Sequence, residues 1–421
     1  MSPRLPLFRG VAGGAALAML AILSLSVTGA ARAQWPTWLN APARPVRYPT
    51  LLVDAATVER ERREVARVVV DTRPAADYER GHVPGARSVP VVAAAGPWAP
   101  LAAAAALPEF GIVILYDDAR TPLAAGTLLE RLENESRSVD CRVLNGGFDA
   151  WRRAGLAVET GPDRYAAPTA RYGTRTIRVL PPWEGRLGTG GLTILDARPV
   201  AEWESGHVPY SLPFDFNELA NDDGTLMDGP TMHAILATIG PRPREFINLA
   251  DRIVVVGFPV EGCRVHPYLA LRAAGIESVG VARVTMSRWR EMGRPVTRIV
   301  HAEEAVRLVA DAHRGQLRDQ PAPGLILFDV RHDPDFNSGH LPGAILLPPD
   351  RFDAQLDSVV AAHWPGADRR TIPVAVYCYG PDCIRSRNMT TVAARHGFLN
   401  LLWLRDGPQA FRSAGGALFP K

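Results

Sequence analysis

The stretch VYCYGPDCIRSR, Val376 to Arg387, places two of the four cysteines of the chain five positions apart. It lies where an apolar run, Ile372 to Val376, gives way to a Gly/Pro turn and then to a segment of helical pattern. A cysteine at the C-terminal end of a strand is a candidate nucleophile, because sites in α/β proteins form there. Two cysteines this close are also a candidate disulfide or redox pair. The thiolate is the reactive form, and a loop of inward-pointing backbone N–H groups with a helix N-terminus behind it lowers the pKa of the thiol. The segment has the parts for such a loop. Gly380 permits unusual backbone angles, Ser386 is a candidate helix cap, and Arg385 or Arg387 can draw in an anion. Tyr379, Pro381 and Asp382 complete it. Position favours Cys378 as the nucleophile. Cys383 is then a resolving thiol or an occupant of the first helical turn, although a helix N-terminus would activate Cys383 equally well. A plain structural disulfide closing the ring between the two is the remaining alternative. Cys-x4-Cys without neighbouring histidines is a poor metal site, and no metal or organic cofactor is implied.

The elements that must hold this loop recur three times. VVVDTRPAADYERGHVPGARSVP starts at Val68, TILDARPVAEWESGHVPYSLPFD at Thr193 and LILFDVRHDPDFNSGHLPGAILLP at Leu325. Each runs from an apolar stretch through Asp-x-Arg, an acid followed directly by an aromatic, and Gly-His-[Val/Leu]-Pro to a second apolar stretch. The Gly-His pairs are Gly81-His82, Gly206-His207 and Gly339-His340, so the period is that of a domain rather than of a solenoid. A further apolar run follows in each copy (Ile112 to Leu115, Ile253 to Val256, Val374 to Val376), then a turn, a helical stretch and a short strand. The copies close with NGGFDAWRRAG, TMSRWREMG and RDGPQAFRSAG. Short apolar runs alternating with helical patterns predict parallel sheets flanked by helices. The repeated polar residues read as architecture. Asp71, Asp196 and Asp329 each precede an Arg by two positions and are expected to fix the strand-to-helix turn, while His82, His207 and His340 are expected to brace the turn between helix and next strand.

This layout resembles the rhodanese family. The signature Asp-x-Arg…Gly-His-x-x-Gly-Ala is complete in the first and third copies, while Tyr210-Ser211 stands for Gly-Ala in the second. The closing Gly-Gly-x-x-Ala-Trp is complete in the first copy, at Gly146 to Trp151. The resemblance implies an α/β fold used three times, as rhodanese-like domains over residues 45–160, 175–298 and 300–418. It also implies a sulfurtransferase, in which a thiolate takes the sulfane sulfur of thiosulfate or a similar donor, holds it as a persulfide and passes it to a thiophilic acceptor. The expected donor is a small sulfur-containing anion or a persulfide, and a protein thiol is a candidate acceptor. The usual loop, Cys-x-x-Gly-x-Arg-Ser, is two residues shorter than the one here, which carries a second cysteine. A minority of exported rhodanese-like proteins share a Cys-x-Gly-Pro-x-Cys arrangement. An enlarged loop also occurs in phosphatases of this fold, but Asp382 would repel a phosphate dianion. Two other classes remain open: a thiol–disulfide couple built on Cys378 and Cys383, and a non-catalytic binding module.

The turn after the second apolar run distinguishes the copies. The first has Asp117 where the nucleophile would stand and is expected to be inert, with Cys141 a small buried residue of a later strand. Alignment on the strand end in the second copy sets Phe258 against Cys378 and Cys263 against Cys383, so that copy is also expected to be inactive. The Pro/Arg-rich stretches at Gly161 to Arg186 and Arg294 to Arg298 read as connections.

Composition is that of a globular protein, with 47% hydrophobic and 22% charged residues. The formal net charge is +3, and Arg4, Arg9 and Arg32 of the first 33 residues account for it, so no affinity for nucleic acid is implied. Those residues read as a signal peptide (1–33), with a basic start, the apolar stretch Val11 to Val27 and the small-x-small site Ala31-Arg32-Ala33. An uncleaved anchor is the alternative, since the apolar stretch approaches spanning length. Abundant Ala, Arg and Pro with few Lys suggests a GC-rich bacterium, so the expected compartment is the periplasm or the exterior, without stable membrane insertion after cleavage.

Overall fold

The computed structural model describes residues 51–63, 67–91, 110–118, 123–134, 138–163, 192–238, 249, 252–258, 260–282, 284–313 and 321–419. The signal segment and most of the connection expected at Gly161 to Arg186 lie outside them. Among the described residues, all strand pairs are parallel and form three sheets flanked by helices. The first sheet holds β1 (Leu52–Val53), β2 (Arg67–Asp71), β3 (Arg87–Ser88), β4 (Phe110–Tyr116) and β5 (Ser138–Leu144), in the order β1-β5-β4-β2-β3. The middle sheet holds β6 (Leu192–Asp196), β7 (Ser211–Pro213), β8 (Arg252–Val256) and β9 (Val279–Val281), in the order β7-β6-β8-β9. The third holds β10 (Val296–Val300), β11 (Ile326–Asp329), β12 (Ile345–Leu346), β13 (Pro373–Tyr377) and β14 (Asn400–Leu404), in the order β10-β14-β13-β11-β12. The first and third sheets therefore share one topology, as the sequence repeat predicts. Their central strands read as unbroken apolar runs because helices cover both faces. Ile114 and Leu115, or Val374 to Val376, are wholly buried.

The repeated Asp-x-Arg builds the same corner three times. Asp71 accepts the Arg73 N–H at 3.0 Å and pairs with its guanidinium, which also donates to the Gly81 carbonyl at 2.7 Å. Arg198 does the same with Asp196 and Gly206, and Arg331 with Asp329 and Gly339. Each repeated histidine stacks on the aromatic ring four residues earlier. Its Nδ1 lies 2.8 Å (His82), 2.7 Å (His207) or 3.0 Å (His340) from the carbonyl of that residue. These histidines are braces of the helix-to-strand turn.

The turn that follows each histidine needs a left-handed residue. Gly85 (φ 77°) and Gly343 (φ 71°) supply it at little steric cost. In the middle copy Tyr210 takes φ 71°, an uncommon state for a bulky side chain. Its neighbour Ser211 is wholly buried and accepts the Trp203 indole N–H at 3.1 Å.

Each histidine loop is closed by an antiparallel bridge to the tail of its copy: His82 to Glu159, His207 to Thr297 and His340 to Phe419. Thr297 belongs to β10, which pairs along its length with β14. The stretch Arg294 to Arg298, read from sequence as a connection, thus becomes mostly edge strand, and the third sheet begins at Val296. The β-branched residues Val296, Thr297, Ile299 and Val300 make it a strand in spite of the arginines.

The first and middle copies pack through the helices Leu123–Asn134 and Pro267–Ala273. Leu128, Leu129 and Leu132 share one apolar cluster with Leu269, Ala270 and Ala273. At its edge Glu133 accepts the Tyr268 hydroxyl at 2.6 Å and Arg272 Nε at 2.8 Å. The middle and third copies meet at Trp203, Ile299 and Trp403. Among the described residues no helix is long and apolar enough to cross a membrane.

Candidate functional site

Strand register fixes which residues are equivalent. Asp71 pairs with Tyr116, Asp196 with Val256 and Asp329 with Tyr377. The residue that directly follows each central strand is therefore Asp117, Gly257 or Cys378. Asp117 stands at the position of Cys378, as expected. In the middle copy the counterpart is Gly257, a correction of one residue to the expected Phe258. Gly257 has φ 76°, and a Cβ there would meet Asp196 Oδ1 at 2.8 Å. The pairing of Cys263 with Cys383 also fails. Cys383 precedes the helix Ile384–Arg395 directly, whereas His266 holds that place before Pro267–Ala273 and Cys263 lies within the longer loop 257–265. Cys263 is half-buried, its thiol donates to the Val265 carbonyl at 3.1 Å, and burial raises its pKa.

In the third copy the loop closes on itself. The Gly380 carbonyl accepts the Cys383 N–H at 3.0 Å, with Pro381 as the second residue of the turn, where its fixed φ is preferred. The turn returns Cys383 to Cys378, and the two sulfurs are bonded. Cys378 is 1% exposed and packs among Val376, Phe398 and Leu401, whereas Cys383 is half-buried. The floor of the loop is the Asp406-Gly407 corner. A Cβ on Gly407 (φ 75°) would lie 2.4 Å from the Tyr379 carbonyl oxygen and 2.9 Å from that of Cys378.

The flanking residues divide into mouth and frame. Tyr379 is exposed and donates its hydroxyl to Asp335 Oδ2 at 2.6 Å. Arg385 Nη1 donates to His332 Nε2 at 2.9 Å, on the same exposed side. Pro381 and Asp382 are exposed at the tip. Ser386 is not the expected cap: it is the third residue of the helix, wholly buried, and accepts the Trp403 indole N–H at 2.9 Å. Arg387 does not face the loop either. It is 3% exposed, its Nη2 donates to the Tyr210 carbonyl at 3.0 Å, and its guanidinium lies 4.8 Å over the Tyr210 ring. Helical periodicity explains this, since Arg385 and Arg387 lie about 200° apart around the helix axis.

Sequence reasoning missed His332 and Asp335. A signal was present: the residue after Asp-x-Arg is Pro74 and Pro199 in the other copies and His332 in the third. A groove of about 770 Å³ between the first and middle copies is lined by Asp54, Arg153, Asp223 and Asp228, among others, but by no residue of the loop. Its acidic lining does not suit an anion.

Residues 54–154 and 310–414 each match the rhodanese-like domain family. The chain is thus similar to the rhodanese-like domain family over these two stretches. It is 32% identical over 217 residues to a candidate thiosulfate sulfurtransferase of Synechococcus elongatus, covering 46% of this chain and 66% of that protein. It is 27% identical over 200 residues to a candidate 3-mercaptopyruvate sulfurtransferase of Pseudomonas aeruginosa, covering 44% and 66%. The chain thus spans just under two thirds of the length of these relatives. The solved 3-mercaptopyruvate sulfurtransferase of Leishmania major aligns at 18% identity with a TM-score of 0.43, covering 77% of this chain and 93% of that one. Between the two matched stretches one difference falls at the end of the central strand. In the first, Asp117 is 3% exposed and accepts the Ala125 N–H of the following helix at 2.9 Å, and burial raises its carboxyl pKa well above the ordinary range. In the second, the same strand end carries the Cys378 sulfur.

Proposed function

We propose that the chain is a sulfurtransferase whose working domain is the third, with Cys378 as the persulfide-bearing nucleophile. The observation that carries this reading is that Cys378 directly follows β13 at the register position held by Asp117 and Gly257 in the other copies. Neither an aspartate nor a glycine can hold a sulfane sulfur. The middle sheet, with its own Asp196–Arg198 corner and His207 brace, is on this reading a third rhodanese-like copy that serves as scaffold. Thiosulfate and 3-mercaptopyruvate, named in the relatives, are the donors to try first. Arg385 at the mouth supplies the positive charge that either anion calls for. Cys378→Ser is expected to abolish cyanide-dependent thiocyanate formation from both donors. Full activity in that variant would remove Cys378 from the role.

We also infer export through the N-terminal segment. The intact mass of the protein recovered from a bacterial periplasm is expected to begin at Gln34, and a product that retains residues 1–33 in the membrane fraction would support the anchor instead. A second reading is favoured by the Cys378–Cys383 bond, namely a thiol–disulfide couple. It requires dithiol oxidation or reduction that depends on both cysteines and proceeds without any sulfur donor.

A further inference from the structure

The pairing of a buried cysteine with a half-exposed one gives the loop an internal partner for its own persulfide. We propose that Cys383 resolves the Cys378 persulfide, so that the protein releases hydrosulfide and ends its turnover as the Cys378–Cys383 disulfide. The inference rests on the sulfurtransferase reading above and deepens it.

The steps balance. The Cys378 thiolate attacks the outer sulfur of thiosulfate, forming Cys378–S–S⁻ and expelling sulfite. The Cys383 thiol then attacks Sγ of Cys378. A Cys383–Cys378 S–S bond forms, the bond from Sγ to the outer sulfur breaks, and the outer sulfur leaves with the Cys383 proton as HS⁻. The sulfane sulfur is reduced by two electrons and the two cysteines are oxidised by two. Reset requires an external dithiol. It attacks Cys383 Sγ and expels the Cys378 thiolate, and its second thiol then frees Cys383 and leaves the dithiol as a disulfide. The sum is thiosulfate plus dithiol giving sulfite, hydrosulfide, a proton and the oxidised dithiol.

Three observations carry this. The turn from Gly380 to Cys383 already brings the two sulfurs to bonding distance with the helix and the loop floor in place, so attack on Cys378 Sγ needs no rearrangement of the domain. Cys378 is 1% exposed and Cys383 is half-buried, so a dithiol meets Cys383 first and the buried sulfur is the leaving group. That order regenerates the nucleophile as a thiolate. An intramolecular thiol held this close also competes at a large effective concentration against any acceptor from solution. The enlarged loop is on this view the space that the second thiol requires.

The test is a single turnover of the reduced full-length chain, freed of reductant and kept without oxygen. Thiosulfate labelled in its outer sulfur is added, sulfide is trapped, and the peptide spanning Cys378 and Cys383 is weighed. The expected result is labelled sulfide at about one equivalent per chain, with the peptide two hydrogens light. Cys383→Ser is expected to keep the label on the peptide as a persulfide and to release sulfide at least roughly tenfold more slowly. A wild-type peptide that holds the label as a stable persulfide beside a free Cys383 overturns the proposal and leaves the sulfurtransferase standing. Should neither protein take up label, the proposal and the sulfurtransferase reading both fall. The wild-type measurement decides even where the variant folds badly.

Discussion

Asp117 and Cys378 occupy one position in two copies of a sheet, and both are buried there. A carboxyl at this strand end gains the Ala125 N–H but loses water on every side, so its pKa rises. Below the ordinary aspartate pKa both folded and unfolded states are protonated and Asp117 costs nothing. As pH climbs towards the raised folded value the unfolded chain ionises first, and stability drains away. Asp117→Asn keeps an acceptor for Ala125 and removes that penalty. It is expected to raise the melting temperature at pH 7 by roughly 2–4 °C and to change it little near pH 4. An equal shift at both pH values would count against the burial argument. Cys141 illustrates the same force on a thiol, pushed up to about 12 by burial and so kept protonated. The strand-end place of Asp117 and the burial of Cys141 were legible in the sequence, because their types and their strand setting suffice. The disposition of Arg385 and Arg387 was not. Both lie just past the loop, and only the phase of the helix decides which one faces it.

At the level of elements, Tyr210 and Arg387 explain each other. The middle copy departs from Gly-Ala at the very turn where a left-handed residue is required, and the strained tyrosine presents its carbonyl and ring to the third copy's helix. Arg387→Ala should cost about 2 kcal/mol, from a charged hydrogen bond and a stacked guanidinium. Tyr210→Gly relieves the backbone while losing the ring, so its net cost should be smaller, below about 1 kcal/mol. A double-mutant cycle by urea denaturation checks the coupling, and simple additivity would separate the two residues. His207 lies under the same contact. Burial, aided by Arg387 and Arg198, lowers its pKa to about 3, so it stays neutral and its Nδ1–H donates to the Trp203 carbonyl. Stability from this group is complete above about pH 6.5 and lost as pH falls towards 3, at up to about 1.4 kcal/mol per unit. A wild-type stability that is flat between pH 7 and 5 would refute the assignment. The three Asp-x-Arg corners and histidine braces could be read from the sequence because they are local, spanning fewer than a dozen residues. Gly257 could not, because the middle loop runs 257–265 against 378–382 in the third copy, and a longer loop removes the spacing that would have fixed the register.

Over the whole molecule, the two junctions between copies are built differently. The first and middle copies share an apolar cluster sealed by Glu133 against Tyr268 and Arg272. Glu133→Ala leaves the largely buried Arg272 without its carboxylate, at a cost of about 3 kcal/mol. In calorimetry it is expected to lower the transition that carries the first two sheets and to leave that of the third in place. A uniform shift of all transitions would mean the chain melts as one body. The junction of the middle and third copies is instead a strand held in common, since Thr297 closes the His207 loop while β10 forms the edge of the third sheet. No cut between the middle and third copies can then yield two whole pieces. A fragment starting after Val300 forfeits an edge strand, and one ending before Val296 leaves the His207 backbone unpaired. Pulled from its ends, the chain would load those five register pairs in shear along β10, the direction in which a parallel ladder yields last.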